Sequence, residues 1–135
     1  MFDTGSCFSL EGQTAIGYRR HHPDWGLQSP GCMVGAGAKV AVLSYESREQ
    51  GREALKEFGG KAVFYQFDIT DTDHTQEMAD RVIAEQEPVT ILVNNAGNHC
   101  KKYIEDMTVE DYVNVLNVHL VGAFALTKAL FPRMK

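Results

Sequence analysis

Cysteine is scarce in this sequence, and positive charge is not in excess. The three cysteines, Cys7, Cys32 and Cys100, are odd in number and show no Cys-x-x-Cys spacing, so neither a disulfide framework nor a zinc site is expected. The formal net charge is -5, whereas nonspecific binding to nucleic acid or to acidic membranes requires a basic surface. The composition therefore predicts reduced thiols, no metal, no nucleic-acid partner and no membrane partner.

A basic leader and long apolar runs are also lacking. The first residues, MFDTGSCFSLEG, do not join a basic segment to an apolar one, and no apolar run approaches the length of a membrane span. We therefore predict a cytoplasmic location. The 135 residues have room for one hydrophobic core, so residues 1–135 are expected to form a single domain.

Short apolar runs that end in turn residues are present instead. Residues 89–93 (VTILV) are too few for a helix and do not alternate, which predicts a strand buried on both faces in the middle of a parallel sheet. Residues 94–97 (NNAG) follow at the carboxyl edge, where open α/β sheets bind ligands. The same four residues in isolation are equally typical of an ordinary turn.

Strand-like and helix-like segments alternate through the rest of the chain. Strands are predicted at residues 14–16, 39–44 and 61–67, besides 89–93. Ser47 and Gln50 have the capping-box spacing and predict a helix through Phe58 that Gly59 and Gly60 end. A further helix is predicted from about residue 73 to 85. This alternation predicts a parallel sheet with right-handed crossovers.

Residues 17–32 (GYRRHHPDWGLQSPGC) interrupt the alternation. Their prolines and glycines and their lack of periodicity predict an irregular stretch. The RRHH run could hold a metal or a phosphate, but adjacent histidines without a second group of ligands are more often a solvated surface. A structureless stretch of this length is unusual inside a compact domain.

The final helix is predicted to be the longest. Thr108 and Asp111 have a second capping pattern, and the apolar residues that follow cover more than one face of the helix. Such surplus apolar surface predicts a partner helix, in a second copy of the chain or in a longer homologue.

Four segments together resemble the short-chain dehydrogenase/reductase family. They are residues 35–43 (GAGAKVAVL), 68–71 (DITD), 91–97 (ILVNNAG) and 117–124 (NVHLVGAF), in the family's order and spacing. The resemblance covers the first half of such proteins and implies a truncated Rossmann-like doubly wound parallel sheet. It also implies an NAD(P)-dependent oxidoreductase as the parent. Residues 94–108 further resemble members that act on sugar acids or sugar alcohols.

The resemblance assigns cofactor-binding roles to individual positions. Asp68 and Ile69 match the pair that flanks the adenine ring, one through its carboxylate and the other through its backbone. Asn95, Ala96 and Gly97 match residues that line the cofactor's ribose.

Ser44 stands where NAD-preferring members have an acidic residue for the ribose 2′-hydroxyl. Tyr45 and Arg48 follow it, so the resemblance leaves both NAD and NADP open.

The catalytic residues of the family are only partly represented. The family's catalytic Asn lies three residues before the helix glycine, here Gly122, and that position is His119; Asn117 lies two residues earlier, so the role is open between them. No Tyr-x-x-x-Lys occurs in the 135 residues. Since that Tyr is the family's general acid/base, the chain alone is expected to be inactive.

The family's Gly-rich phosphate loop is also missing between the first strand and the first helix, so the first βα unit is expected to be disrupted. One codon set for residues 17–26, read one base later, encodes Val-Thr-Gly-Gly-Ile-Thr-Arg-Ile-Gly, which would restore such a loop. We therefore hypothesise that residues 17 to about 32 are a frame-shifted segment, and we expect weak or no NAD(P) binding.

Three interpretations follow from the sequence. The first is a truncated copy of an oxidoreductase whose parent acts on a sugar acid, a sugar alcohol or another secondary alcohol or ketone. The second is a noncatalytic nucleotide-binding or interaction module. The third is a subunit that pairs with an intact homologue through the helix starting near Thr108.

Overall fold

A four-stranded parallel sheet organises the computed structural model, which describes residues 8–18, 28–86 and 88–134. Its strands lie in the order β3-β2-β1-β4. Their bounds are Thr14–Tyr18 for β1, Lys39–Ser44 for β2, Ala62–Gln66 for β3 and Ile91–Val93 for β4. β1 pairs with both β2 and β4, so it lies inside the sheet.

Helices connect successive strands. They are α1 (Gln28–Gly35), α2 (Arg48–Leu55, continued by a 3-10 turn at Lys56–Phe58) and α3 (Thr75–Gln86). After β4 and a 3-10 turn at Ile104–Asp106, the chain forms one continuous helix, Val109–Arg133, called the long helix below. It comprises α4 (Val109–Leu116), a π-helical segment (Asn117–Gly122), α5 (Ala123–Leu130) and a 3-10 turn (Phe131–Arg133).

Both faces of the sheet are covered, as the doubly wound prediction requires. Ile16 and Leu43 belong to a core shared with Val82 of α3 and with Leu126 and Leu130 of α5. Residues of opposite parity in the same strands, Ala15 and Val42 among them, pack with Leu55 of α2 in a second core. The alternation of side chains along each strand therefore directs one set to each helical layer.

The predicted helix signals are confirmed. Ser47 Oγ accepts a hydrogen bond from the Gln50 backbone nitrogen at 3.3 Å, and Gly59 ends the helix with a φ of +55°. At the start of the long helix, the Asp111 nitrogen donates to Thr108 Oγ1 at 3.1 Å, and the Thr108 nitrogen donates to Asp111 Oδ2 at 2.9 Å. These reciprocal bonds satisfy two backbone donors that a helix start leaves unpaired.

The expectation for residues 89–93 is wrong in two respects. The strand is confined to Ile91–Val93, and it lies at the edge of the sheet with its residues only half-buried. β4 pairs with β1 on one side, and no strand among the described residues covers its other side. An apolar run indicates that a strand is suited to burial. It does not determine whether a neighbouring strand pairs on each side.

The irregular stretch predicted at residues 17–32 is wrong at both ends. Gly17 and Tyr18 continue β1 and pair with Val42 and Leu43, while residues 28–32 belong to α1. Pro30 fits there because it lies in the first turn, where its missing N–H has no helical partner to lose. Residues 19–27, including the RRHH run, lie outside the described residues, so the hypothesis of a frame-shifted segment stays a prediction.

The long helix leaves much of its apolar surface exposed. Tyr112, Leu120, Phe124 and Phe131 are each more than half exposed. By length and composition alone the helix could cross a membrane, since its most apolar 18-residue window has a mean hydropathy of 1.4; the expectation that no segment approaches a span is wrong by that criterion. A core helix passes the same criterion, and α5 buries Leu126, Ala129 and Leu130 against α3 and the sheet.

Candidate functional site

A cavity of about 440 Å³ opens at the carboxyl edge of the sheet. The strand ends, the loop after β4 and the long helix all contribute to its wall. The lining residues are Tyr18, Tyr45, Asp68, Ile69, Thr70, Asn98, Asn114, Asn117 and Val118. This wall offers three amides, one carboxylate, one aliphatic hydroxyl and two phenols, so it suits a polar ligand that forms several hydrogen bonds.

Asp68 presents a fixed carboxylate to this cavity. Its Oδ1 accepts hydrogen bonds from the backbone nitrogen of Thr70 at 2.9 Å and from the Thr70 hydroxyl at 2.8 Å. These bonds close a local turn after β3 and orient the carboxyl group. Its Oδ2 makes no hydrogen bond within the described residues and can accept one from a ligand.

Tyr18, at the end of β1, is the cavity residue that sequence analysis missed most clearly. Its side chain is only 3% exposed, and its hydroxyl accepts a hydrogen bond from the Ile69 nitrogen at 3.4 Å. Burial is the largest cause that raises the pKa of Tyr18, to about 12, while the backbone N–H groups of Ile69 and Tyr45 act in the opposite direction. The phenol is therefore neutral at physiological pH and cannot act there as a general base.

Gly122 allows the long helix to pass directly over Ile69, the residue after Asp68. A Cβ atom at Gly122 would lie 2.6 Å from the carbonyl oxygen of Ile69 and 2.7 Å from its Cγ1. The crossing occurs at the end of the π-helical segment, a geometry that is rare and frequent at functional sites. The segment places Asn117 and Val118 in the cavity wall.

His119 contacts the loop after β4 and is not among the residues that line the cavity. Its Nε2 lies 3.1 Å from the Asn98 nitrogen and 2.7 Å from the Asn98 oxygen. The ring also covers Gly97, where a Cβ atom would lie 3.1 Å from Cε1 of His119. The two candidates for the family's catalytic Asn position are thus separated, since Asn117 lines the cavity and His119 holds the loop. Their catalytic roles stay predictions.

The residues after β2 divide between the core and the cavity. Ser44 is fully buried, and its Oγ accepts a hydrogen bond from the Glu46 nitrogen at 3.3 Å. Tyr45, the next residue, is 47% exposed and lines the cavity. A cofactor contact through the Ser44 hydroxyl would therefore require the strand end to move.

The segment after β4 lies beside the cavity wall. The Asn95 nitrogen donates to the Val93 oxygen at 3.0 Å in a tight turn, and Ala96 packs against the core. Asn98 from this loop lines the cavity. Its Oδ1 atom is buried and has no hydrogen-bond partner in the described structure. The predicted ribose contacts of Asn95, Ala96 and Gly97 remain predictions.

Metal ligands are not clustered at this edge. Within residues 8–18, 28–86 and 88–134, no group of three or more His, Cys, Asp or Glu side chains is placed to hold an ion.

Known proteins with similar sequences include alcohol and sugar-acid dehydrogenases. The chain is 37% identical over 112 residues to an NADP-dependent (R)-specific alcohol dehydrogenase from Lentilactobacillus kefiri, covering 82% of this chain and 44% of that protein. It is 32% identical over 102 residues to a 2-dehydro-3-deoxy-D-gluconate 5-dehydrogenase from Formosa agariphila, covering 73% and 39%. The chain spans less than half the length of these curated relatives.

Solved structures of dehydrogenases and reductases superpose on this fold. A 2-keto-3-deoxy-D-gluconate dehydrogenase from Streptococcus agalactiae superposes with a TM-score of 0.78 at 31% identity, covering 94% of this chain and 48% of that one. A short-chain dehydrogenase/reductase mutant from Serratia marcescens has a TM-score of 0.83 at 22% identity, covering 93% and 52%. The family model described as short chain dehydrogenase matches residues 26–135, and the chain therefore belongs to the short-chain dehydrogenase family.

Proposed function

We propose that this chain is the nucleotide-binding half of an NAD(P)-dependent oxidoreductase and that it is noncatalytic on its own. The observation that carries the proposal is the cavity at the carboxyl edge, where Asp68, Ile69 and Asn117 meet. This edge is where open α/β sheets bind nucleotides. The family and the names of the relatives support a parent protein that oxidises or reduces a CH–OH group.

The described residues fit one end of NAD or NADP. Oδ2 of Asp68 and Oδ1 of Asn98 have no hydrogen-bond partner within the described residues, and both can accept hydrogen bonds from the amino group of a nucleobase. A bound cofactor would supply or accept the hydride, and these residues would position its base.

The residues of this chain do not fit the rest of the cofactor, namely its pyrophosphate and ribose groups. No Gly-rich loop lies between β1 and α1 in the sequence, and the Ser44 hydroxyl is buried. The Gly-rich pattern whose backbone N–H groups normally hold a pyrophosphate at a helix N-terminus is therefore missing from the sequence. We accordingly expect weak binding of the dinucleotide.

The proton-transfer half of the reaction lacks the family's characteristic residues in this sequence. The 135 residues contain no Tyr-x-x-x-Lys, and the phenol of Tyr18 is buried with its pKa raised to about 12. Hydride transfer to a carbonyl requires a proton donor to the oxygen. The parent's substrate is proposed to be a sugar acid, a sugar alcohol or another secondary alcohol, in line with the named relatives.

Turnover by the purified chain tests this proposal. The chain is incubated with NAD or NADP and either 2-dehydro-3-deoxy-D-gluconate or cyclopentanol, the compounds named for two relatives, while formation of the reduced nicotinamide is followed by its absorbance. We expect no change above a protein-free blank. A full-length dehydrogenase of the family serves as the positive control, and measurable turnover by the 135-residue chain would overturn the noncatalytic assignment.

The exposed long helix supports a second candidate function. Leu120 and Phe124 are 61% and 68% exposed, a pattern typical of a helix that packs on a partner. An interaction module would pair through this helix with a second copy or with an intact homologue in the cytoplasm. Co-expression with a tagged full-length homologue, followed by co-purification, distinguishes it from a nucleotide-binding fragment.

A further inference from the structure

Tyr18 occupies a position in the cavity that a ligand could use. It ends β1, the strand that lies between β2 and β4. Its phenol oxygen accepts a hydrogen bond from the N–H of Ile69, the third residue after β3 ends at Gln66. Tyr45, directly after β2, lines the same cavity. The side chain of Tyr18 thus connects the end of β1 to the segment after β3.

Two acceptors in the cavity wall remain without partners. Oδ2 of Asp68 and Oδ1 of Asn98 are acceptors without partners in the described structure. The Ile69 N–H, a donor beside them, is already bound to Tyr18. An aminopurine needs both kinds of partner, since its amino group donates and its neighbouring ring nitrogen accepts. In the cavity as folded, the main-chain N–H of Ile69 is occupied by Tyr18 and is not available to such a ring nitrogen.

We propose that Tyr18 is an internal ligand that fills the nucleobase end of the cavity, so that an adenine ring must displace its phenol to reach the Ile69 N–H. The inference rests on the proposed function in one respect, namely that the external ligand is an adenine nucleoside. It adds that the chain carries its own competitor for that ligand. Affinity is therefore limited by a residue of β1, independently of any phosphate-binding loop.

The size and chemistry of Tyr18 match this role. Its ring is planar and apolar, so it fills the space between strand ends that a heteroaromatic ring would take, and its hydroxyl supplies the acceptor that the Ile69 N–H requires when buried. The side chain is almost fully buried, and displacing it requires exposing a packed aromatic ring. The wild-type chain should therefore bind adenosine poorly.

Three variants of the full chain separate the ring from its hydroxyl. Tyr18→Leu keeps apolar packing near the backbone and empties the outer part of the ring's space. Tyr18→Ala empties all of it, and Tyr18→Phe retains the ring and removes only the oxygen. Circular dichroism and urea unfolding establish which variants fold; Tyr18→Leu is the principal variant because it preserves most of the core.

Adenosine and 4-methylphenol are the probes, measured by calorimetric titration and by the shift of the Ile69 amide signal in NMR spectra. We expect Tyr18→Leu and Tyr18→Ala to bind adenosine at least about tenfold more tightly than wild type, the scale of one recovered hydrogen bond with its packing. Tyr18→Phe should resemble wild type because the ring still fills the space. Tyr18→Ala should also bind 4-methylphenol, which is the missing side chain as a free molecule.

The outcomes distinguish this inference from the proposed function. Wild-type chain that binds adenosine as tightly as Tyr18→Leu would overturn the role of Tyr18 and leave the nucleotide site standing. Gain of 4-methylphenol binding without any adenosine binding would retain Tyr18 as an internal ligand and overturn the nucleotide function. Folded Tyr18→Leu protein that binds adenosine no better than wild type, together with Tyr18→Ala that fails to bind 4-methylphenol, would overturn the inference itself.

Discussion

Nε2 of His119 lies 2.7 Å from the carbonyl oxygen of Asn98, and this contact joins the π-helical segment to the loop after β4. The same atom lies 3.1 Å from the Asn98 nitrogen. Either neutral form of the ring can use one of these groups, since a protonated Nε2 donates to the oxygen and an unprotonated one accepts from the N–H. The loop that carries Asn98 into the cavity is therefore held by a residue outside it.

Replacing this histidine should loosen the loop. His119→Ala removes the hydrogen bond and should lower the free energy of unfolding by about 1 kcal/mol, with faster hydrogen exchange at the Gly97 and Asn98 amides. His99→Ala is the matched control, because His99 is exposed in the same loop and forms no hydrogen bond with any of the described residues. Equal exchange rates in the two variants would contradict the holding role of His119.

Gly122 should tolerate no side chain. Gly122→Ala places a Cβ atom 2.6 Å from the Ile69 oxygen, so the long helix must shift away from β3, at a cost of about 1–3 kcal/mol. Urea unfolding measures the cost. Gly35→Ala, where a Cβ atom meets nothing within 4 Å, should be neutral or slightly stabilising because Ala is the better helix former. A Gly122→Ala midpoint equal to that of Gly35→Ala would refute the close crossing.

The cap of the long helix should make the free energy of unfolding depend on pH in the acid range. Lys102, 2.7 Å from Asp111 Oδ2, is the main cause that lowers the pKa of Asp111 from 3.8 to about 2, with further hydrogen bonds from Thr108. Because the folded pKa lies below the unfolded one, ionised Asp111 stabilises the fold above about pH 4. That contribution is lost as the pH falls through about 2.

Asp111→Asn tests this pH dependence. The variant should have a lower urea midpoint than wild type at about pH 6, and the difference should shrink as the pH approaches 2. Asp106→Asn removes a carboxylate of the nearby 3-10 turn that forms no ion pair in the described structure, so it controls for net charge. A midpoint difference for Asp111→Asn that stays constant down to about pH 2 would count against the assignment.

The exposed face of the long helix should drive association of the isolated chain. Leu120→Gln combined with Phe124→Gln removes two apolar side chains that are mostly exposed, and the mass measured by light scattering should fall toward that of a monomer. Tyr103→Gln, an exposed aromatic outside the helix, should leave association unchanged. Wild-type protein that is already monomeric and melts in one sharp transition would show that the face needs no partner.

Local sequence signals predicted the elements that short-range contacts determine. Lys39–Ser44 was predicted with its observed bounds because an apolar β-branched run lies between turn residues. The caps at Ser47 and Thr108 were predicted because each depends on a residue three positions away. The cavity residues Asp68, Ile69 and Tyr45 were found through the family resemblance, which specifies positions that periodicity cannot.

Features that depend on distant residues were not predicted. Tyr18 continues β1 because it pairs with Leu43 and its hydroxyl binds the Ile69 N–H, and neither partner is visible from the polar residues that follow it. The π-helical segment lies where Gly122 passes over Ile69. Asn98 and Asn114 enter the cavity wall only because the loop after β4 and the long helix lie side by side.

The central position of β1 determines the order in which the sheet can assemble. Ala15 pairs with Val40 on one side and with Ile91 on the other, so the second pairing closes a much longer loop and carries the larger entropic cost. On a ribosome that adds about 5–20 residues per second, β1 and β2 are available several seconds before β4 is made. Throughout that interval the inner strand presents an open edge to other nascent chains, and the speed of translation becomes a determinant of how much protein folds.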